Sequence, residues 1–283
     1  MRIEQNSVIL TKINAKLVMI LKYVLVTGAG GGMGGAAVNM LTAEGYTVFA
    51  MDLKAVPERE HVIPLVADVT DSCSLQKAVE FVRDITDTLH AVVHFAGRYI
   101  LDSLIEIPEN AFTNAFDVNV FGAYRVNKAF FPLLHKGSRI VITTSELAPL
   151  EPLPFTGIYA ITKSTLDKYA ASLRMELQLL GIAVTVLRPG AVRTEMLGVS
   201  TDQLDSFCDS TKMYSCNANR FRKIVDSVEA ANVPAETVAK KLCRIIHAKH
   251  VLPVYNINRN PLLLLLNMLP KSVQGWAIRK ILK

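Results

Sequence analysis

Tyr159 and Lys163 stand four residues apart, a spacing that puts a phenol and an ammonium on one face of a helix. A phenol titrates near pH 10 and is a poor base. A cation held beside it favours the phenolate, so the pair can exchange a proton with an alcohol or carbonyl oxygen. Ser145 follows an apolar run and can donate a hydrogen bond to that oxygen as negative charge develops there, with Thr144 as the weaker alternative. A lone Tyr-x-x-x-Lys is common by chance, so its meaning depends on the elements around it.

A second constellation lies near the start. Thr27-Gly28-Ala29-Gly30-Gly31-Gly32-Met33-Gly34 follows a short apolar run and opens a helical stretch. Gly28 permits a tight turn, Gly32 lets backbone approach a pyrophosphate, and Gly34 permits close helix–strand packing. The helix N-terminus offers free N–H donors to phosphates. Asp52 ends the next strand, 18 residues after Gly34. A carboxylate there can accept both ribose hydroxyls of NAD and would repel the 2′-phosphate of NADP. Leu53 offers that phosphate nothing, whereas Lys54 could reach it. Asp68 and Val69 suit the rim of an adenine pocket, and small Ala96 and Gly97 leave room for cofactor. His94, at the end of an apolar strand, reads as a structural residue, with a pH-sensitive or acid–base role as the alternative.

These residues need a scaffold, and the chain supplies a regular one. Short apolar strands at Tyr23–Thr27, Tyr46–Met51, His61–Ala67, Ala91–Phe95, Arg139–Thr143 and Ala183–Leu187 alternate with helical stretches at Ala36–Glu44, Leu75–Leu89, Asn110–Leu134 and Thr156–Leu180. That rhythm predicts an α/β fold, a Rossmann-like doubly wound parallel sheet in a single domain over residues 22–283. Residues 195–233 are polar and broken by small residues, and read as a helical substrate lid. Val251–Val254 is a candidate last strand. Residues 256–283 form a C-terminal helical extension, and residues 1–21 an N-terminal extension with a poor fit to a signal peptide.

With 283 residues, 51% of them hydrophobic and 20% charged, the chain can bury a large core. The mean hydropathy of +0.29 is high, yet no apolar run reaches about 18 residues. The formal net charge is +6. From Pro234 onward nine Lys and Arg residues face one acid, Glu236. No interleaved aromatics accompany them, so nucleic acid is not expected, and a peripheral membrane contact through the C-terminus is the functional alternative to a solvated basic edge. The four cysteines lack C-x-x-C or zinc spacing, which predicts reduced thiols, no metal and a cytoplasmic setting.

In order and spacing the motifs resemble the short-chain dehydrogenase/reductase family, classical type, over about Lys22 to Gly190. The family's Thr-Gly-x-x-x-Gly-x-Gly is met by Thr27 through Gly34, and its adenine-pocket pair by Asp68-Val69. The resemblance implies a catalytic group of Asn119, Ser145, Tyr159 and Lys163. In it Asn119 holds a water in a proton relay to Lys163, and Lys163 also binds the nicotinamide ribose. Pro189-Gly190-Ala-Val-Arg-Thr194 matches the family's Pro-Gly-x-x-x-Thr, whose Thr touches the nicotinamide carboxamide. His94-Phe95-Ala96-Gly97 departs from the usual Asn-Asn-Ala-Gly, which implies altered packing. The region after Thr194 is similar to the retinol and 17β-hydroxysteroid dehydrogenase branch.

The implied activity is hydride transfer between NAD(H) and a secondary alcohol or ketone, with Tyr159 as acid/base. Met196, Leu197, Leu204, Phe207, Met213, Tyr214 and Phe221 suit a bulky hydrophobic substrate, or simply pack the lid. Reduction of a small or polar carbonyl, a non-catalytic dinucleotide sensor, and a sugar-nucleotide epimerase are the alternatives. The resemblance also implies a homodimer or homotetramer, formed through the helices bearing Phe121, Tyr124, Val126, Ala129 and Phe130, and Leu166, Tyr169, Ala170, Leu173 and Leu177. Those side chains could equally face the sheet.

Overall fold

A computed structural model describes residues 22–229 and 231–283, so the expected extension over 1–21 lies outside the described residues. The strands are β1 (Lys22–Thr27), β2 (Tyr46–Asp52), β3 (Val62–Val66), β4 (Leu89–His94), β5 (Leu134–Thr143), β6 (Ala183–Pro189), β7 (Val192–Arg193), β8 (Val233–Pro234) and β9 (Val254–Ile257). The helices are α1 (Gly32–Ala43), α2 (Ser72–Arg83), α3 (Glu109–Phe116), α4 (Gly122–Phe130), α5 (Gly157–Leu177), α6 (Glu195–Ser210), α7 (Ser215–Glu229), α8 (Ala235–His247), α9 (Pro261–Met268) and α10 (Lys271–Leu282). Seven strands pair in the order β3-β2-β1-β4-β5-β6-β9, and every pair is parallel. The expected Rossmann-like doubly wound sheet is present. Its strand order reverses between β1 and β4, and a crevice opens there beyond the carboxyl ends of the strands.

The unbroken apolar strands follow from burial on both faces. Val24 and Val26 of β1 pack with Val38, Leu41, Val238 and Leu242 on one side. Leu25, between them, packs with Phe49, Leu75, Val126 and Phe130 on the other. Helix starts are set locally. Asp71 caps α2 by accepting from the Cys73 amide at 2.8 Å. Asn260 caps α9 through the Leu262 and Leu263 amides, with Pro261 in the first turn.

Several boundaries differ from expectation. The single helix over Asn110–Leu134 is α3, a π-helical turn at Asp117–Phe121, α4 and a short 3-10 turn at Phe131–Leu133. Apolar periodicity does not reveal one inserted residue, which is what a π turn is. Leu134 begins β5 instead, paired with Leu89. Leu89 in turn starts β4, and the helix before it ends at Arg83. The last strand is Val254–Ile257, three residues later than expected. Pro253 lacks the N–H a ladder needs, so pairing begins after it. The boundary placed at 256 therefore falls inside β9.

The segment expected to act as a lid forms two helices, α6 and α7, flanked by β7 and β8, which pair with each other. Of the helix faces proposed to pair subunits, Val126, Phe130, Leu166, Ala170 and Leu177 are buried against the sheet side, while Phe121 and Tyr124 are 49% and 45% exposed. All four cysteines are free, and no group of His, Cys, Asp and Glu among the described residues could hold a metal. No helix among the described residues is long and apolar enough to cross a membrane.

His94 is buried at the end of β4, with Nε2 2.8 Å from Asn127 Oδ1. The Asn127 amide donates onward to the Tyr169 hydroxyl. Burial lowers the His94 pKa to about 4, so the folded chain keeps this imidazole neutral. The unfolded chain binds that proton near pH 6.5. Stability from His94 is therefore full above pH 6.5 and is lost as pH falls toward 4, by about 3 kcal/mol in all. Denaturant titrations from pH 7 to 4 are expected to show a smaller loss in His94→Asn than in the parent. His90, also lowered to about 4 by burial, supplies part of the residual slope.

Candidate functional site

The glycine turn joins β1 to α1 at the reversal point. Gly28 has φ +68°, and a Cβ there would lie 2.5 Å from the Ala96 amide nitrogen. A Cβ on Gly34 would lie 2.0 Å from the Gly28 carbonyl oxygen. Both positions thus exclude any side chain, Gly34 for the helix–strand approach its spacing predicted. Gly34→Ala is expected to cost about 1–3 kcal/mol through forced backbone movement, read as a lowered thermal midpoint. An unchanged midpoint would mean the turn has slack. At Gly32 the immediate neighbour is Thr194, whose Cβ would be 2.7 Å from an added Cβ. Gly32 therefore also admits Thr194 across the turn.

A groove runs from this turn past Asp52, Asp68, Val69, Ala96 and Gly97. Asp52 Oδ2 accepts from the Gly30 amide at 2.9 Å, and Oδ1 from the Leu53 amide at 2.8 Å. The carboxylate thus braces the glycine turn. Asp68 Oδ1 accepts from the amide and hydroxyl of Thr70. Lys54 and Arg59 line the same groove. The turn without Cβ atoms, the free start of α1 and an acid at the end of β2 fit a dinucleotide with its ribose near Asp52.

A contiguous cavity holds the second constellation. Its lining includes Met33, Gly97, Ser145, Tyr159, Lys163, Pro189, Gly190 and Thr194. The end of β5 carries Ser145, and α5 carries Tyr159 and Lys163 one turn apart. The Ser145 hydroxyl accepts from the Leu147 amide at 3.2 Å and shares the cavity wall with Tyr159. The Thr144 hydroxyl is engaged elsewhere, with Asp167 and the Leu187 carbonyl, whereas Ser145 is the hydroxyl that acts on the Tyr159 pKa. The Lys163 ammonium donates to the Thr143 carbonyl at 3.2 Å and lies 5.6 Å from the centre of the Tyr159 ring.

Burial pushes the Tyr159 phenol well above its ordinary range, the nearby Tyr99 adds to the rise, and only the Ser145 hydroxyl opposes it. Burial also lowers Lys163 to about 8. The simple expectation that Lys163 depresses Tyr159 does not hold, because desolvation outweighs the cation 5.6 Å from the ring. The phenol is kept protonated and poised to donate. Asn119 sits in the π turn. Its Oδ1 accepts from the Arg98 amide at 2.7 Å, and its Nδ2 donates to the Arg98 carbonyl and the Thr162 hydroxyl. A Cβ on Gly97 would lie 3.3 Å from Asn119 Oδ1 and 3.4 Å from Lys163 Nζ, so Gly97 lets the two polar groups converge.

Helix α7 forms part of the far wall. Phe221, Ile224 and Val225 of α7 line the cavity with Leu153 and Leu263. Leu204 and Phe207 pack instead into an apolar cluster around Phe155, and Met213 is 66% exposed. Met196 and Leu197 lie outside the described side chains. Phe155 holds a left-handed backbone (φ +65°), unusual for a bulky residue, with its ring against Phe207, Tyr214 and Phe221. Gln203 ties the lid to the β4 loop through Leu101 and Tyr99, and Glu106 accepts from Thr211, Lys212 and Met213 at the lid turn.

Tyr99, Thr143, Glu146 and Leu263 also line this cavity, and sequence reasoning named none of them. Glu146 had a signal, since it directly follows Ser145. Leu263 had none, because its place depends on the return of the C-terminal segment.

The family described as short chain dehydrogenase matches residues 22–205. The 3-ketodihydrosphingosine reductase of Bacteroides thetaiotaomicron is 26% identical over 273 residues, spanning 91% of this chain and 97% of that protein. Mouse (Mus musculus) estradiol 17-beta-dehydrogenase 2 is 34% identical over 193 residues, spanning 62% of this chain and 50% of that protein. Other matching relatives are named NADPH-dependent. A 3-ketoacyl-(acyl-carrier-protein) reductase from Brucella melitensis, solved with NADH, superposes with a TM-score of 0.67 at 19% identity, covering 83% of this chain and 95% of that one.

Proposed function

The chain belongs to the short chain dehydrogenase family, and from that premise we propose that it transfers a hydride between NAD(H) and a bulky, mostly apolar secondary alcohol or ketone. The observation that carries this reading is the convergence of Ser145, Tyr159 and Lys163 on one cavity shared with the glycine turn's Met33. When bound, the nicotinamide supplies the hydride acceptor or donor. Tyr159, kept protonated by burial, donates its proton to the carbonyl oxygen in reduction and takes the hydroxyl proton in oxidation. Ser145 orients that oxygen and stabilises the charge growing on it. Lys163 holds the ribose and, below about pH 8, contributes its charge to the phenol. Asn119 steadies the Arg98 backbone beside Lys163 and the relay of water between them. Thr194 and the Pro189-Gly190 segment hold the carboxamide end, and Asp68-Val69 the adenine end.

The choice of NAD over NADP rests on the Asp52 carboxylate in the groove. The choice of an apolar substrate rests on Phe221, Ile224, Val225 and Leu263, and the relatives named for 3-ketodihydrosphingosine and estradiol favour it. NADH fluorescence titration, followed by absorbance at 340 nm with pooled hydrophobic alcohols and ketones, tests the assignment. NADH binding with turnover is expected. Binding that survives with no turnover on any pool would shift the function toward a sensor.

Two surfaces bear on partners. Phe121, Tyr124 and Ile161 remain exposed on the helices we assign to subunit pairing. On the C-terminal helices Leu262, Leu265, Met268 and Trp276 are exposed. Lys271, Arg279, Lys280 and Lys283 accompany them with no acid after Pro261. That combination suits an anionic lipid surface. Vesicles containing phosphatidylserine are expected to blue-shift the fluorescence of Trp276, the chain's only tryptophan, with the shift weakening as salt is added. No shift would count against membrane contact.

A further inference from the structure

Among the described residues Glu146 is the one acid lining the substrate cavity, and it directly follows Ser145. It is 5% exposed. One of its oxygens, Oε2, accepts from the Asn260 amide at 2.6 Å. The other, Oε1, lies against Gly190, where an added Cβ would come within 2.8 Å of it. None of the ion pairs among the described residues includes Glu146. The two cations in the same lining have other partners: Lys163 donates to the Thr143 carbonyl, and Arg98 to Asn114.

Holding one backbone amide does not require a charge. A neutral glutamine would accept the same hydrogen bond without the cost of desolvating a carboxylate. Burial accordingly raises the Glu146 pKa, and only the Asn260 amide and the more distant charge of Arg259 oppose the rise. A buried carboxylate with one neutral donor, beside the hydroxyl assigned to hold the reacting oxygen, feels Arg259 only through space and, among the described residues, has no cation in contact. A ligand entering this cavity is positioned to supply one. The remaining wall of Leu147, Leu153, Phe221, Ile224, Val225 and Leu263 asks for an apolar body.

Resting on the alcohol/ketone reading above, we propose that Glu146 recognises an ammonium group, so that the preferred substrates are secondary alcohols or ketones with a basic amine close to the reacting carbon and an apolar chain beyond it. The adjacency of Ser145 and Glu146 in the chain sets the proximity: their α-carbons are about 3.8 Å apart, so one small head group can meet both side chains. A paired amine desolvates together with the carboxylate, and each neutralises the other.

The test is isothermal titration calorimetry on the full chain saturated with NADH at pH 7, with 2-aminodecan-3-ol and decan-3-ol as probes. NADH makes the alcohol complexes dead-end, so binding is read without turnover. The amino alcohol is expected to bind about 10- to 100-fold more tightly than decan-3-ol, in line with a charge-assisted hydrogen bond. In Glu146→Gln, which keeps an oxygen for the Asn260 amide, that preference should collapse while decan-3-ol binding stays the same. Equal affinities in the parent chain overturn the proposal and leave the alcohol/ketone reading standing. So does a preference that persists in Glu146→Gln. If neither alcohol binds the NADH-saturated chain, the alcohol/ketone reading falls and this proposal falls with it. The parent comparison decides the matter even if the variant does not fold.

Discussion

Tyr159→Phe is expected to lower kcat by about 10²- to 10⁴-fold, the range associated with losing a positioned proton donor or acceptor. The substitution removes one hydroxyl and little else. The ring still packs against Tyr99, whose centroid lies 4.8 Å away, so the cavity wall keeps its shape. NADH affinity should change little, because the glycine turn, Asp52, Lys163 and Thr194, which hold the dinucleotide in the reading above, are untouched. The loss should fall on kcat more than on KM, since the proton moves in the transition state. Steady-state kinetics beside an NADH fluorescence titration would check both halves. A variant keeping more than about a tenth of the parent rate would move the proton to Ser145, Lys163 or a water, because a missing general acid should cost at least 10²-fold.

The second large effect concerns the cofactor. Asp52→Asn is expected to raise the ratio of NADPH to NADH affinity by about 10²-fold. Two unit charges 4 Å apart repel by about 4 kcal/mol at an effective dielectric of 20, and a 2′-phosphate brings more than one charge. Solvent at the open groove reduces that figure, which is why 10²-fold rather than a larger change is the expectation. Asn keeps an oxygen for one of the two amides that Asp52 now binds, Gly30 or Leu53, so the glycine turn should survive. Lys54 and Arg59 already line the groove and would then face the phosphate without a competing carboxylate. Fluorescence titration with both dinucleotides measures the ratio. Parent protein that binds NADPH more tightly than NADH would show that these two cations outweigh Asp52, in agreement with the relatives named NADPH-dependent.

Most of the frame and part of the site could be read from residue spacing. The glycine turn was legible because its demands are local: Gly28 needs a left-handed backbone, and Gly34 must clear a carbonyl six residues earlier. Tyr159 and Lys163 were legible because helical geometry places residues four apart on one face. Strands buried on both sides announce themselves as apolar runs. Reading failed where the outcome turned on one residue more or less. The π turn at Asp117–Phe121 and the start of β5 at Leu134 both sit inside one apolar stretch, and periodicity does not separate them.

The electrostatics of the site were not legible either. Sequence places Lys163 near Tyr159, but whether it lowers the phenol's pKa depends on how much water surrounds both groups. With both buried, desolvation moves the two pKa values the other way.

Residue order by itself determined the alternating strands and helices, the glycine turn, the acid at the end of β2, and the tyrosine–lysine pair. Each is a property of a few neighbouring residues whose geometry is settled by local backbone rules. Only the tertiary structure decided which lid residues line the cavity and which pack behind it, and how the last strand seats. It also decided that Glu146 would meet Asn260, 114 residues away, beside Ser145. Those placements come from long-range packing, in which the C-terminal segment folds back over the end of the sheet. No spacing along the chain encodes a distance between segments that meet only when the core closes.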